Sequence, residues 1–222
     1  MYISDDDRRR MRFIVTTMIV ALALNIVAAV LSLGPPAAFV LTIGLALVYL
    51  GYVVRTRDPL IARLMLFGIV VGFGELPADY FGVVTTATLV YPPGEPLICV
   101  SPAYMPLSWM LLMVQLGFVG VWLGRRTSLG VATVAMIILG GLNIPLYEFL
   151  AAHAGFWHYQ NTPMLFGETP YYVIVAEALT TAALPLLATA DARAPWREVL
   201  VLGAIQALWL NVAGRIAFAL VG

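Results

Sequence analysis

The chain has 222 residues, of which 62% are hydrophobic and only 11% charged, and its mean hydropathy is +0.94. This composition excludes an ordinary soluble domain and indicates a polytopic membrane protein. The formal net charge is zero, so nothing indicates a nucleic-acid partner. The single cysteine, Cys99, excludes an intrachain disulfide and a multi-cysteine metal site. All 12 basic residues are arginine, and a retinal protein is excluded because its Schiff base needs a lysine.

Seven apolar runs are each about 20 residues or longer, the length that a hydrocarbon core of about 30 Å requires. Turns rich in proline and glycine separate several of them, as at Gly34-Pro35-Pro36. The sequence therefore predicts an all-α protein with a single transmembrane domain over residues 1–222, folded as a bundle of seven transmembrane helices. The predicted spans cover about residues 11–33, 36–54, 59–90, 104–123, 128–153, 169–189 and 196–221.

Arginine placement predicts the orientation in the cell membrane. Arginines lie before span 1 and around the links between spans 2 and 3, 4 and 5, and 6 and 7, whereas the other links have none. The positive-inside rule then gives a cytoplasmic N-terminus and an external C-terminus, with Arg215 inside span 7 as the exception. The external links at 91–103 and 155–168 are long and apolar. We expect them to fold over the outer face as lids, although Trp157, Tyr159 and Phe166 also suit an ordinary aromatic belt.

Two carboxyl groups lie in the middle of span 3. Glu75 and Asp79 are four residues apart, so a helix places them on one face, one turn apart. Pro77 lies between them and is expected to open that turn, because it has no N–H to donate. Charged groups inside lipid are costly, and we therefore interpret the pair as a functional site. The alternative is that both acids are structural and bonded to neighbouring helices.

Further polar residues are predicted to lie at the same depth. At about 1.5 Å per residue, Glu148 in span 5, Glu177 in span 6 and Arg215 in span 7 reach the level of the span 3 acids in the outer half of the membrane. The simplest account is one polar cavity with Arg215 as the counter-charge.

The wall of this cavity is expected to bind the substrate through aromatic and amide side chains. The seven candidate substrate-binding residues are Tyr80, Trp109, Asn143, Tyr147, Tyr171, Trp209 and Asn211.

Four carboxyl groups and one arginine are not all expected to be ionised. Burial and a like charge one turn away both favour the neutral form of a carboxyl group, so at least one acid should carry a proton to donate. The sequence leaves open whether Glu75 or Asp79 is the donor. It also leaves open whether Glu148 or Glu177 pairs with Arg215. No metal site is expected, because the histidines lack the spacing of a metal motif.

The order of several segments resembles the carotenoid hydratase and small lycopene cyclase group of membrane proteins, and more distantly the small membrane-bound terpene cyclases. The resemblance covers roughly residues 70 to 185. It is based on the helix bearing Glu75 and on four later segments. These are Tyr91-Pro92, Met105-Pro106-Leu107-Ser108-Trp109, Gly155-Phe156-Trp157-His158-Tyr159 and Gly167-Glu168-Thr169-Pro170-Tyr171.

The resemblance implies an enzyme that protonates a double bond or an epoxide of an isoprenoid. Ring closure, proton loss or water then quenches the carbocation, and no cofactor is needed. The lipophilic isoprenoid would reach the cavity from the lipid bilayer, and the oligomeric state is unknown. Two rival functions fit the same residues. A proton- or ion-coupled transporter also uses acids inside the membrane, and a lipid-binding protein without catalytic activity needs only the cavity.

Overall fold

The computed structural model describes residues 4–188 and 195–222, and in these residues the chain is all-α, as predicted. The order of the helices follows the order of the predicted spans. The helices are α1 (Asp5–Leu31), α2 (Pro35–Thr56), α3 (Pro59–Tyr80), α4 (Met105–Gly124), α5 (Leu129–Ala154), α6 (Tyr171–Ala182), α7 (Leu184–Leu187) and α8 (Trp196–Val221).

Six helical segments in the described residues are long and apolar enough to cross a membrane, judged by length and composition, and they make this a multi-pass membrane protein. The sixth predicted span is different. Its apolar helical segment, Tyr171–Leu187, is shorter than the other six and is divided into α6, which ends at Ala182, and the short helix α7 with Pro185 in its first turn. The predicted end of this span, Thr189, and the arginine at position 193 lie outside the described residues.

Side-chain caps fix where several helices begin. The Ser4 hydroxyl accepts the Asp7 N–H and starts α1 six residues before the predicted span, because hydropathy marks lipid contact and not the end of a helix. Asp58 caps α3 by accepting the N–H groups of Leu60 and Ile61, and Pro59 occupies the first helical position. Proline is tolerated at that position because the N–H that it lacks would have no acceptor within the helix.

Helix α3 lies at the centre of the bundle and packs against α4 and α8. Glycines let α3 and α4 approach closely: a Cβ atom on Gly68 would lie 2.7 Å from the Met110 carbonyl oxygen. A Cβ atom on Gly72 would meet the Pro106 carbonyl oxygen at still shorter range. Small residues at such interfaces are typical of helices that pack inside lipid.

The helix continues through Pro77 and widens only after the two acids. Phe81–Thr85 form a π-helical turn, and both the N–H and the hydroxyl of Thr86 donate to the Phe81 carbonyl oxygen, at 2.9 and 3.1 Å. The predicted opening between Glu75 and Asp79 is therefore displaced toward the end of the span. Turns of this kind often occur at functional sites.

Arginines and acids from three segments meet at one end of the bundle. Arg10 of α1 binds Asp58 before α3 at 2.8 Å and Asp7 at 3.2 Å. Arg126, which follows α4, lies 4.0 Å from the second Asp7 oxygen. The start of α1, the α2–α3 link and the α4–α5 link are thus adjacent, as the arginine pattern requires.

The two long links at the other end form short antiparallel strand pairs. The strands are β1 (Leu89–Val90), β2 (Leu97–Ile98), β3 (Ser101–Pro102), β4 (His158–Tyr159), β5 (Met164–Leu165) and β6 (Thr169–Pro170). Strand β1 pairs with β4, so the link after α3 and the link after α5 are joined, while β2–β3 and β5–β6 are local hairpins. We call the joined links the roof. Phe166 at the tip of the β5–β6 hairpin is 91% exposed and does not contribute to the roof's inner surface.

Candidate functional site

A cavity of about 290 Å³ lies among the helices beneath the roof. Its wall contains all four predicted acids together with aromatic and apolar side chains from both the helices and the roof. These include Glu75, Asp79, Tyr91, Tyr104, Trp109, Asn143, Tyr147, Glu148, Trp157, Tyr159, Tyr172, Glu177, Asn211 and Arg215. The structure thus brings the four acids to one cavity.

Glu75 and Asp79 lie side by side on α3. Glu75 is only 3% exposed, with Asp79 and Trp109 next to it, and its Oε2 atom has no hydrogen-bond partner within the described residues. Asp79 accepts a hydrogen bond of 2.7 Å from the Tyr91 hydroxyl at the base of the roof. Burial and the nearby Asp79 charge raise the pKa of Tyr91 well above its ordinary value, so this phenol remains a donor.

Glu148 on α5 is held by two aromatic residues of the roof. The Trp157 indole N–H donates to its Oε2 at 2.6 Å, and the Tyr159 hydroxyl lies 3.4 Å from its Oε1. Two roof side chains thus bind one carboxyl group. The two cavity acids that face the roof therefore each accept from it.

Glu177 on α6 is buried and has no side-chain hydrogen bond to any residue that the structure describes. It lies close enough to Glu148 and to Glu75 for their charges to interact. Glu177 is therefore a cavity acid that no described side chain holds by a hydrogen bond.

The predicted pairing of Arg215 with an acid is wrong. Across the two described segments, no carboxylate forms a salt bridge with Arg215. Its Nη1 donates to the Asn211 carbonyl oxygen at 3.0 Å, and its guanidinium lies 5.1 Å from the centre of the Phe81 ring. The side chain reaches the exposed surface at the rim of the cavity, since a long cationic side chain can keep its charge out of an apolar interior.

Four of the seven candidate substrate-binding residues line the cavity, namely Trp109, Asn143, Tyr147 and Asn211. The other three do not, and their placement corrects the prediction. Tyr80 and Tyr171 are exposed on the outside of the bundle at 50% and 42%, because each is one helical position away from a residue that faces inward. The Trp209 indole donates to the Leu179 carbonyl oxygen at 2.8 Å and joins α8 to α6.

The sequence did not identify several residues of the roof and wall as partners of the acids. Tyr91 and Tyr104 both face the cavity, and Trp157 and Tyr159 bind Glu148 directly. Their signal was the unusual number of aromatic residues in two external links. That signal predicted a lid, but hydropathy gave no register between the links and so could not assign each aromatic residue to an acid.

The site combines paired carboxyl groups, aromatic faces and an apolar wall. Among residues 4–188 and 195–222 no buried cation faces these acids, so they can hold and transfer a proton or stabilise a positive charge. The wall can also exclude water from a reactive cation. Among the described residues, neither histidine lies in the cavity wall.

One family model matches residues 76–221, a segment that begins directly after Glu75 and contains the other three cavity acids. No curated protein and no solved structure matches the chain. The family match covers well over half of the 222 residues, and the chain therefore belongs to the family described as domain of unknown function DUF6989.

Proposed function

We propose that the protein is a membrane enzyme that protonates a double bond or an epoxide of a neutral isoprenoid and guides the resulting cation to cyclisation, isomerisation or hydration. The observation that supports this most is the meeting of Glu75, Asp79, Glu148 and Glu177 in one aromatic cavity, to which the described part of the chain contributes no buried basic side chain. Acid-initiated chemistry needs a neutral acid, a base and a water-poor pocket, and the cavity contains residues suited to each role.

In this proposal Glu75 or Asp79 supplies the proton. Glu75 suits the role of donor because its Oε2 is unpartnered, whereas Asp79 already accepts from Tyr91. Glu148, which accepts from two roof side chains, is the better candidate for the base that stabilises the cation or removes a proton from it. The aromatic faces of Trp109 and Tyr147 would lie around the developing positive charge.

We further propose that the chain crosses the cell membrane seven times, with its N-terminus in the cytoplasm and the roof outside. The shorter Tyr171–Leu187 segment would be the sixth span. The grouping of Arg10, Asp58 and Arg126 at the end opposite the roof supports this orientation, because arginines accumulate on the cytoplasmic side. The substrate would then reach the cavity from the lipid.

The test is a lipid extract of cells that express the protein beside an isoprenoid pathway, analysed by mass. The wild-type protein should produce a new isomer or hydrate, and Glu75→Gln should abolish it, because an amide cannot deliver a proton. Glu168→Gln is the matched control, since Glu168 is outside the cavity wall, and it should keep full turnover.

The Glu75→Gln and Glu168→Gln proteins should both remain folded when purified in detergent. Wild-type turnover in Glu75→Gln and in Asp79→Asn would end the proposal of acid catalysis. Recovery of bound isoprenoid unchanged after long incubation with wild-type protein would instead indicate a binding protein.

A further inference from the structure

Three polar atoms in the cavity wall have no hydrogen-bond partner among the residues that the structure describes. They are Oε2 of Glu75, the hydroxyl of Tyr104 and Oδ1 of Asn211. The Asn211 amide is fixed, because its Nδ2 donates to the carbonyl oxygens of Gly74 at 2.7 Å and Ala207 at 2.9 Å. A buried polar atom without a partner costs about 1–3 kcal/mol. These atoms therefore favour a ligand that donates hydrogen bonds.

The charges of the wall favour a cationic ligand. Four carboxyl groups line the cavity, and the one basic side chain among its described lining residues, Arg215, is exposed and stacked on Phe81. A phosphate or diphosphate group would meet acids and no buried arginine. A positive group would meet the carboxyl groups and also the aromatic faces of Trp109 and Tyr147, which attract cations.

We propose that the cavity is a binding site for a protonated lipophilic amine. The ammonium N–H groups would donate to Glu75 Oε2 and Asn211 Oδ1, and the hydrocarbon tail would lie against the apolar residues Leu41, Leu45 and Leu112 of α2 and α4. The ligand remains an ammonium ion throughout. If its carboxyl counter-ion is protonated beforehand, that proton leaves to solvent when the ion pair forms.

The inference rests on the proposed function for the nature of the tail. An enzyme that stabilises an isoprenoid carbocation binds the transition state more tightly than the substrate, and an ammonium group on an isoprenoid chain carries a similar charge. A short chain suits the cavity, because about 290 Å³ is at the low end of the range of ligand pockets, about 300–1,000 Å³.

The experiment compares geranylamine with geraniol, which has nearly the same size but no charge. Binding to the full-length protein in detergent is followed by calorimetry and by the fluorescence of the cavity tryptophans, Trp109 and Trp157. Geranylamine should bind more than about tenfold tighter than geraniol. Geranyl diphosphate should bind more weakly than either. Equal binding of the amine and the alcohol, or tighter binding of the diphosphate, would overturn the inference.

Substitutions of the cavity acids test whether the amine binds in this cavity. Glu75→Gln and Glu177→Gln should each reduce the ratio of geranylamine affinity to geraniol affinity by about tenfold or more. The matched control Glu168→Gln changes an acid outside the cavity and should keep the full preference. An amine preference that survives both cavity variants would place the amine elsewhere and contradict the inference.

The amine-binding test and the turnover test have distinguishable negative outcomes. Amine binding without any change in the isoprenoids of the cell would support the cation site and contradict the enzyme. Turnover without an amine preference would support the enzyme and contradict the cation site.

Discussion

Hydrogen bonds from the roof hold two of the cavity acids. Asp79 accepts from the Tyr91 hydroxyl, and Glu148 accepts from the Trp157 indole at 2.6 Å and more weakly from the Tyr159 hydroxyl at 3.4 Å. Both acids are buried, and a buried carboxyl group that loses its donor costs free energy in the folded state. These aromatic residues are therefore expected to stabilise the fold as well as the site.

Tyr91→Phe removes one hydroxyl group and should lower the free energy of unfolding by about 1–3 kcal/mol. Tyr80→Phe is the matched control, since Tyr80 is exposed and follows Asp79 directly, and it should change stability by less than about 0.5 kcal/mol. Thermal unfolding in detergent measures both. Equal melting temperatures for the two variants would show that the bond to Asp79 contributes nothing.

The effect of Tyr91→Phe on the free energy of unfolding should depend on pH. Burial raises the pKa of Tyr91 above the 10.0 of a free tyrosine, so the folded protein holds this proton more tightly than the unfolded chain does. The stability contributed by the protonated phenol is complete below about pH 10 and is lost as the pH rises further. The stability difference between wild type and Tyr91→Phe should therefore be constant from about pH 7 to about pH 9 and shrink above that range.

The convergence of the acids could be predicted residue by residue, because the depth of a side chain in a span follows from its distance to the helix end. The direction of a side chain around the helix could not. Apolar residues surround these helices on every side, so no amphipathic pattern shows which face is inward. Tyr80 and Tyr171 were misplaced for this reason, and Arg215 was misplaced because its length lets it reach the rim.

At the scale of helices and strands, the glycine surface of α3 sets the shape of the site. Its close approach to α4 brings Trp109 beside Glu75, and the same helix contacts α8 where Asn211 donates to the Gly74 carbonyl oxygen. Any side chain on this surface would push the helices apart and change the distances within the cavity.

Gly72→Ala places a methyl group against the Pro106 carbonyl oxygen and should destabilise the protein by about 1–3 kcal/mol. Gly44→Ala is the control, because a Cβ atom on Gly44 of α2 meets nothing within 4 Å, and the substitution should be neutral or stabilise the helix slightly. Thermal unfolding in detergent separates the two. A Gly72→Ala protein as stable as the Gly44→Ala protein would show that α3 and α4 can separate without cost.

The long helices could be predicted from hydropathy, and their ends and the strands could not. The α1 helix begins at Asp5 because of a Ser4 cap in a charged segment that hydropathy does not register. Strands β1 and β4 have two residues each and lie about 70 positions apart. Strands this short show no periodic pattern in the sequence.

At the scale of the whole molecule, the proposed orientation places the roof outside and the arginine-rich end in the cytoplasm. Cys99 in the link between α3 and α4 is exposed and is the only cysteine in the sequence. It therefore reports the side of the membrane on which the roof lies.

A membrane-impermeant maleimide should label Cys99 in intact cells, because the proposed topology exposes the α3–α4 link to the outside. The control carries Cys99→Ser with Thr127→Cys, which moves the thiol to the exposed α4–α5 link at the opposite end. This control should react only after the cells are permeabilised. The reverse pattern of labelling would invert the topology and leave the cavity facing the cytoplasm.

The β1–β4 pairing joins the two links that hold two acids on different helices. Tyr91 directly follows β1 and Trp157 directly precedes β4, so each aromatic residue is anchored beside the same four-residue ladder. A slip of the ladder by one residue would turn successive strand side chains to the opposite face, and the register of this ladder therefore affects how the roof meets the acids. The contacts of Asp79 and of Glu148 with the roof therefore both lie next to one short ladder, although the two acids are on different helices.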